Sequence, residues 1–528
     1  MPLTATFHSI VRFPELDEQP TSTPELLDAA FRADPSRVLL IDAEKVVTTG
    51  ELVEEIALVQ ERLRGAGVRR GDVVTAQLPN WWETVALAHA VWGMGAVLNP
   101  VTPIYREREL TGILSTARPA AVVVPAEYRG TDHAAMAGRA LHAAGVDVPL
   151  LVLRGPGGPA CAIGPAPRAE LAAHTDDICV LMFTSGTTGA AKGVLHSHRT
   201  LLAEAASMAG LYRLEGDRVF MPSPLTHITG LVYGVLMPLL MDGDTTLLDV
   251  WDPAHAVQVV EQQGCTVCVG ATPFLSGLVE EYRRLGQRSS LKAFVCGGAD
   301  VPPALVRRGQ EVLGSVVARA YGLTEMPTAT CGGPTDTESV RADTDGPPVG
   351  SAEVRIRDGE GLPAGVGELQ VRGPELCLGY LDEEHTRAAF DAEGWFSTGD
   401  LARIDETGAV TILGRIKDVI VRAGENLSAP EIESLLLEHP QVADVAVVGV
   451  PDDTVGERAC AIVVARGAPP TLVALTRHLA GYGIARQKFP EHLLISESLP
   501  RTPSGKVQKF LLRTEATARL SKGEGESR

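Results

Sequence analysis

The chain has few aromatic residues, only 5% of its 528, and no apolar run of the roughly 20 residues that a membrane-spanning helix needs. Its longest apolar stretch near a helix-like region, residues 231–241, ends in Asp242 and Asp244. Residues 1–16 lack a basic segment leading into an apolar one, so no signal peptide is expected and the sequence reads as cytoplasmic. Basic charge is also scarce: 47 Lys and Arg against 66 Asp and Glu leave a net charge of -19, which argues against binding nucleic acid by general phosphate attraction. Eight cysteines in a chain this long make no disulfide framework. Cys265 and Cys268 have no second pair at zinc-finger spacing and read as buried strand residues. His196 and His198 lack a nearby carboxylate and read as loop or helix-start residues rather than metal ligands. A 45% hydrophobic composition at this length predicts a large core and at least two domains.

What the chain does have is the segment 184–193, in which Thr184, Ser185, Gly186, Thr187, Thr188 and Gly189 lead to Lys192 directly after the apolar run 178–183. Glycines let backbone N–H groups approach an anion closely, hydroxyls add donors, and the lysine adds a point charge; the segment suits nucleotide phosphates. It is not a P-loop. Counting from Gly186, Ala191 stands where the second glycine belongs and Gly193 where the Mg²⁺-binding Ser or Thr belongs. With so acidic a chain, the positive potential for a nucleotide must come from local donors, a few cations and Mg²⁺.

Along the chain, β-type runs alternate with Ala/Leu-rich helical stretches, which predicts α/β layers. Residues 72–78, 120–124, 148–153 and 293–296 read as strands and 81–92 as an amphipathic helix. Residues 155–167 are a Pro/Gly-rich loop. After about residue 360 the texture turns to short strands (367–372, 395–400, 410–415), a β-rich subdomain. A compact α+β domain starting near Lys417 follows, its first helix opening at Ala429-Pro430-Glu431, and the polar tail from Ser521 reads as frayed. The expected division is therefore a large N-terminal domain, 1–416, and a small mobile C-terminal domain, 417–528.

Six further motifs accompany the phosphate segment in order. They are Pro224-Leu-Thr-His227, Tyr321-Gly-Leu-Thr324-Glu325, Ser397-Thr-Gly-Asp400, Gly414-Arg415-Ile-Lys417-Asp418, Gly424-Glu425-Asn426 and Pro500-Arg-Thr-Pro-Ser-Gly-Lys506. Spread over more than 300 residues, the set resembles the adenylate-forming superfamily, which includes acyl-CoA synthetases, aryl-CoA ligases, peptide-synthetase adenylation domains and luciferases. Residues 77–83 and 99–110 look like ligases for alicyclic acids such as cyclohexanecarboxylate, or medium-chain acyl-CoA synthetases.

The resemblance implies an enzyme in which a carboxylate attacks the α-phosphorus of ATP to give acyl-AMP and pyrophosphate, and the thiol of CoA then displaces AMP. In-line attack of one anion on another needs charge neutralisation and positioning. By the same resemblance, residues 184–192 hold the β- and γ-phosphates, Thr324 contacts the α-phosphate, Glu325 carries Mg²⁺ and Asp400 accepts from the ribose hydroxyls with Arg415 behind it. Gly298, Ala299, Ala320, Tyr321, Gly322 and Ile412 complete the nucleotide site. Lys506 bridges carboxylate and α-phosphate, and a swivel at Lys417 exchanges its face for that of Gly424, Glu425 and Asn426, where the CoA arm passes. The acyl pocket falls to His227, Thr229, Gly230, Thr272, Gly297, Gly298, Gly322 and Leu323. Those residues are mostly small or apolar and include no carboxylate for an amino acid's ammonium group, so a bulky neutral acid is expected. Two alternatives stay open: a stand-alone adenylating enzyme that passes acyl-AMP to a carrier protein or separate transferase, and an inactive adenylate-binding protein. The sequence leaves monomer and homodimer equally open.

Overall fold

The computed structural model describes residues 22–43, 45–154, 169–170, 173–174, 176–184, 192–298, 301–358, 365–416, 420–422, 425–427, 429–452, 454–482, 484–501, 507–524 and 526–527. Packing divides the chain into two compact units. The first comprises residues up to Ala342 with Pro348–Glu353 and Arg372–Trp395, and the second comprises Asp343–Pro347, Val354–Val371 and Phe396 onward.

Two sheets build the first unit. Among the described residues, one has eight strands in the order 326–331, 316–323, 293–296, 267–270, 218–221, 244–247, 38–41, 46–48, and the other has seven in the order 379–380, 192–197, 178–184, 97–100, 73–76, 121–125, 150–153. Their central strands are parallel and run as uninterrupted buried segments such as Val73–Ala76 and Ala293–Cys296, as strands covered on both faces must. The helix Trp82–Gly93 occupies the core between them. Its residues cluster with Val74, Leu98 and Val180 of one sheet and with Val219, Val267 and Val269 of the other. This corrects the amphipathic reading of 81–92: every residue from Val85 to Gly93 is buried, because a helix with a sheet on either side has no solvent face.

Residues 231–241 are helical but not uniformly so; the five-residue π-helical stretch Val232–Leu236 separates two short α-helical turns. The strand cysteines are as expected. Cys265 and Cys268 are buried, and the seven described cysteines form no disulfide. No helix among the described residues is long and apolar enough to cross a membrane.

The second unit contains the expected β-rich portion, a four-stranded sheet ordered 353–358, 366–372, 396–404, 410–415. It also contains a mixed sheet whose long strands Val442–Asp452 and Gly456–Ala465 are antiparallel. Alternation assigns both faces of that sheet to cores. Val445, Val447, Ala461 and Val463 pack with helices Ala429–Leu437 and Leu472–Gly481, whereas Ala446, Val448, Cys460 and Ile462 pack with helix Lys509–Ser521. The tail departs from the frayed reading. Glu526–Ser527 pairs with His492–Ser496, and the Glu526 carboxylate accepts from the Leu472 N–H at 2.6 Å, satisfying a helix N-terminus. Residues 1–16 and 155–167 lie outside the described residues.

Candidate active site

Four parallel strands stand side by side in the eight-stranded sheet, and the expected pocket residues follow their carboxyl ends, where open α/β sheets bind ligands. Ala320, Tyr321, Gly322 and Leu323 end Val316–Leu323; Gly297 and Gly298 follow Ala293–Cys296; Thr272 follows Val267–Gly270; His227, Thr229 and Gly230 follow Arg218–Met221. Close backbone approach explains three of the glycines. A Cβ at Gly322 would stand 1.8 Å from the Pro327 carbonyl oxygen, one at Gly230 2.1 Å from that of Pro224, and one at Gly297 2.7 Å from that of Ala320. His227 caps the short helix Ile228–Leu231, its Nδ1 accepting from the Thr229 N–H at 3.4 Å. Thr272 opens the helix Thr272–Leu285.

Thr184 and Lys192 face each other across the antiparallel strands Ile178–Thr184 and Lys192–Ser197. The phosphate segment therefore joins strand to strand rather than strand to helix, which agrees with setting the P-loop aside. Ser185, Gly186, Thr187, Thr188 and Gly189 lie outside the described residues, as do Ala299, Lys417, Gly424 and Lys506.

Thr324 and Glu325 form the two-residue turn between Val316–Leu323 and Met326–Cys331. That turn belongs to one sheet and is held by the other. The Thr324 carbonyl accepts from His196 Nε2 at 2.8 Å, the Glu325 carbonyl accepts from the Cys377 N–H at 2.8 Å, and the Glu325 carboxylate accepts from the Tyr380 hydroxyl at 2.6 Å. Burial pushes the His196 imidazole down to about 4, against its bond to Thr324, so the ring is neutral at pH 7. A carbonyl only accepts, which assigns the proton to Nε2 and leaves Nδ1 to accept from the Thr200 hydroxyl at 2.9 Å. Behind the turn, the Thr328 N–H donates to Glu204 at 3.0 Å, and the Tyr233 hydroxyl bonds both Glu204 and Thr328. Burial first, then the Glu375 carboxylate, pushes Glu204 up to about 8.

Sequence reasoning missed Tyr380 and placed His196 at a loop or helix start. His196 instead lies within the strand Lys192–Ser197, one residue before its end, and period-2 alternation from Lys192 sets it on the lysine's face. That alternation was readable; the partner of Tyr380, 55 residues away, was not.

In the second unit Asp400 is 5% exposed, and its Oδ1 lies 2.8 Å from Arg415 Nε across paired strands. The Ile412 N–H donates to the Asp345 carboxylate at 2.9 Å. Glu425 and Asn426 lie on the strand Glu425–Leu427, paired with Ile420–Arg422.

Glu325 is the single residue expected to hold a metal. Among the described residues no group of three or more His, Cys, Asp or Glu side chains could bind an ion. Mg²⁺ needs none, being bound through one or two carboxylates with substrate phosphates and water, so a lone carboxylate such as Glu325 fits it.

A family model described as AMP-binding enzyme matches residues 27–381, and one described as AMP-binding enzyme C-terminal domain matches 431–506. The chain is 34% identical over 522 residues to the medium-chain fatty-acid–CoA ligase of Escherichia coli (strain K12), covering 93% of this chain and 89% of that protein. It is 35% identical over 511 residues to the 3-[(3aS,4S,7aS)-7a-methyl-1,5-dioxo-octahydro-1H-inden-4-yl]propanoyl:CoA ligase of Mycobacterium tuberculosis (strain ATCC 25618 / H37Rv), covering 93% and 98%. Among solved structures, ATP-bound MatB from Rhodopseudomonas palustris superposes with a TM-score of 0.84 at 28% identity, covering 94% of this chain and 99% of that one.

Proposed function

The chain belongs to the AMP-binding enzyme family, and from that premise we propose how its residues divide the work of an AMP-forming acid–thiol ligase. Its substrate is a bulky neutral carboxylic acid. In the first half-reaction a carboxylate oxygen attacks the α-phosphorus of ATP, the bond to the bridging oxygen breaks, and pyrophosphate leaves. In the second, the CoA thiol attacks the acyl carbon, its proton is lost, and AMP leaves.

Thr184 and Lys192, with the segment between them, hold the β- and γ-phosphates; Thr324 contacts the α-phosphate; Glu325 would hold Mg²⁺, which would supply charge neutralisation when bound. Asp400 accepts from the ribose hydroxyls with Arg415 fixing its orientation, and Lys506 joins the carboxylate to the α-phosphate. The C-terminal residues from 417 onward swivel about Lys417, replacing Lys506 with Gly424, Glu425 and Asn426 for thiol transfer. One observation carries the assignment: the Thr324–Glu325 turn is tied by His196 and Tyr380 to the strand that begins at Lys192.

The substrate class is supported by the absence of Asp and Glu from residues 227, 229, 230, 272, 297, 298, 322 and 323, and by the fatty and fused-ring acids named for the two relatives. Incubating the protein with a panel of acids, ATP, Mg²⁺ and either CoA or a carrier protein, with products read by mass spectrometry, tests both parts. Alicyclic, aromatic and other bulky neutral acids should yield acyl-CoA. Pyrophosphate exchange driven mainly by α-amino acids would overturn the substrate class, and transfer only to the carrier protein would overturn CoA as the acceptor.

A further inference from the structure

We propose that Tyr380 is a positioning residue that fixes the Glu325 carboxylate for its metal and links it to Lys192 at the end of the phosphate segment. The inference rests on the reading of Glu325 as the metal carboxylate.

Tyr380 is 3% exposed and lies on the short strand Gly379–Tyr380, opposite Val194 of the strand Lys192–Ser197. Lys192 stands two residues before Val194 on the same face, which makes it the diagonal cross-strand neighbour of Tyr380. The Lys192 ammonium accordingly lies 4.8 Å from the ring centroid, a cation on the negative face of a phenol. The edge of the same ring reaches the other way, its hydroxyl donating to Glu325 Oε1 at 2.6 Å. Oε2 takes no hydrogen bond from a described residue. One side chain thus touches both the cation expected on the terminal phosphates and the carboxylate that would hold the metal.

The backbone that carries the phenol is itself held. The Tyr380 N–H donates to Thr386 Oγ1 at 2.9 Å, and Gly379 adopts φ 132°, where a Cβ would stand 2.7 Å from Thr386 Cγ2. A carboxylate with one oxygen fixed by a rigid donor keeps the other in one orientation, which a hydrated ion such as Mg²⁺, demanding near-octahedral geometry, rewards. A tyrosine that merely filled the core would leave metal binding indifferent to its hydroxyl.

Tyr380→Phe removes that hydroxyl and keeps the ring beneath Lys192. Two readouts apply: the Mg²⁺ concentration giving half-maximal acyl-AMP formation, and the affinity of the resting protein for Mn²⁺ with a non-hydrolysable ATP analogue, followed by electron paramagnetic resonance. Both should weaken about tenfold, within the 10–100-fold range of such outer partners, with KM for the acid unchanged. Wild-type Mg²⁺ dependence and Mn²⁺ affinity in folded Tyr380→Phe would overturn the proposal.

If the variant fails to fold because Glu325 is left bare, Tyr380→Phe combined with Glu325→Gln removes the uncompensated charge. The double variant should bind Mn²⁺ no more weakly than Glu325→Gln alone; a further additive loss would overturn the proposal. Wild-type metal dependence in Glu325→Gln would instead overturn the reading of Glu325, which separates the two failures.

Discussion

Asp400 and Arg415 are register partners on adjacent antiparallel strands, and their side chains form an ion pair at 2.8 Å with the carboxylate buried and the guanidinium 41% exposed. The pair orients the carboxylate before any ligand arrives. Asp400→Asn keeps the shape and removes the charge-assisted acceptor, so KM for ATP should rise about 10-fold or more, the size of a hydrogen bond to a charged group, with a smaller change in kcat. ATP–pyrophosphate exchange over a range of ATP concentrations reads this split. An unchanged KM would remove Asp400 from the nucleotide site.

Backbone crowding at the turn gives a stability prediction. Gly322→Ala forces a methyl group to 1.8 Å from the Pro327 carbonyl oxygen, so strands 316–323 and 326–331 must separate. The cost should be about 3 kcal/mol or more. Gly298→Ala meets no atom within 4 Å and bears only the penalty of φ 80°, about 1–2 kcal/mol. Denaturant unfolding should rank the two in that order, and equal losses would contradict the crowding at Gly322.

Glu204 sets the alkaline limb of stability. Its folded pKa of about 8 lies above the ordinary 4.5, so between those values the folded chain keeps a proton that the unfolded chain has released. Stability therefore falls as pH rises through that window, by up to about 1.4 kcal/mol per pH unit for this one group. Glu204→Gln should flatten melting temperature against pH between about 6.5 and 8 and raise it at pH 8. His89, His196 and His198, pushed by burial to about 3, 4 and 3, set the opposite limb. Their folded pKa values lie below 6.5, so stability drops as pH falls below that value; Glu204 opposes this drop between pH 6.5 and 4.5, and Glu204→Gln should make it steeper there. A wild-type profile in the variant would show that Glu204 is ionised in the fold.

Two substitutions separate the half-reactions. Lys506→Ala should slow acyl-AMP formation more than about 100-fold while transfer from supplied acyl-AMP survives. Lys417→Pro fixes one backbone state at the expected hinge, so adenylation should survive better than thiol transfer if the fixed state presents Lys506. Single-turnover rates of each step check both. Equal loss of the two rates in folded Lys417→Pro would count against a swivel there.

Residues close in sequence were singled out from it, Thr184 with Lys192, Thr324 with Glu325, and Asp400 with Arg415 fifteen positions on; that the first and last of these are register partners and the second a turn came from the structure. Tyr380 and the hydrogen bond from His196 to Thr324 were not legible, because the packing of one sheet against the other creates their contacts across 55 and 128 residues. Local periodicity carries no information about which distant strand arrives opposite. Residues 81–92 are a different case: from Val85 to Trp92 only His89 is polar, the pattern of a helix buried all round, so the burial of this helix was readable while the second sheet that covers it comes from strands more than a hundred residues later. At the tail, polarity suggested fraying, but Glu526 meets the free N–H of Leu472.

The helix Trp82–Gly93 has a consequence for how the protein comes apart. With His89 and Trp92 fully enclosed and the Trp92 indole N–H donating to the Cys179 carbonyl at 3.0 Å, neither neighbouring sheet can peel away without opening this helix to water. The two sheets should unfold as one cooperative block. Amide protons from Ala88 to Gly93 then exchange with deuterium only through complete opening of that block, making these six residues an internal gauge of its global stability.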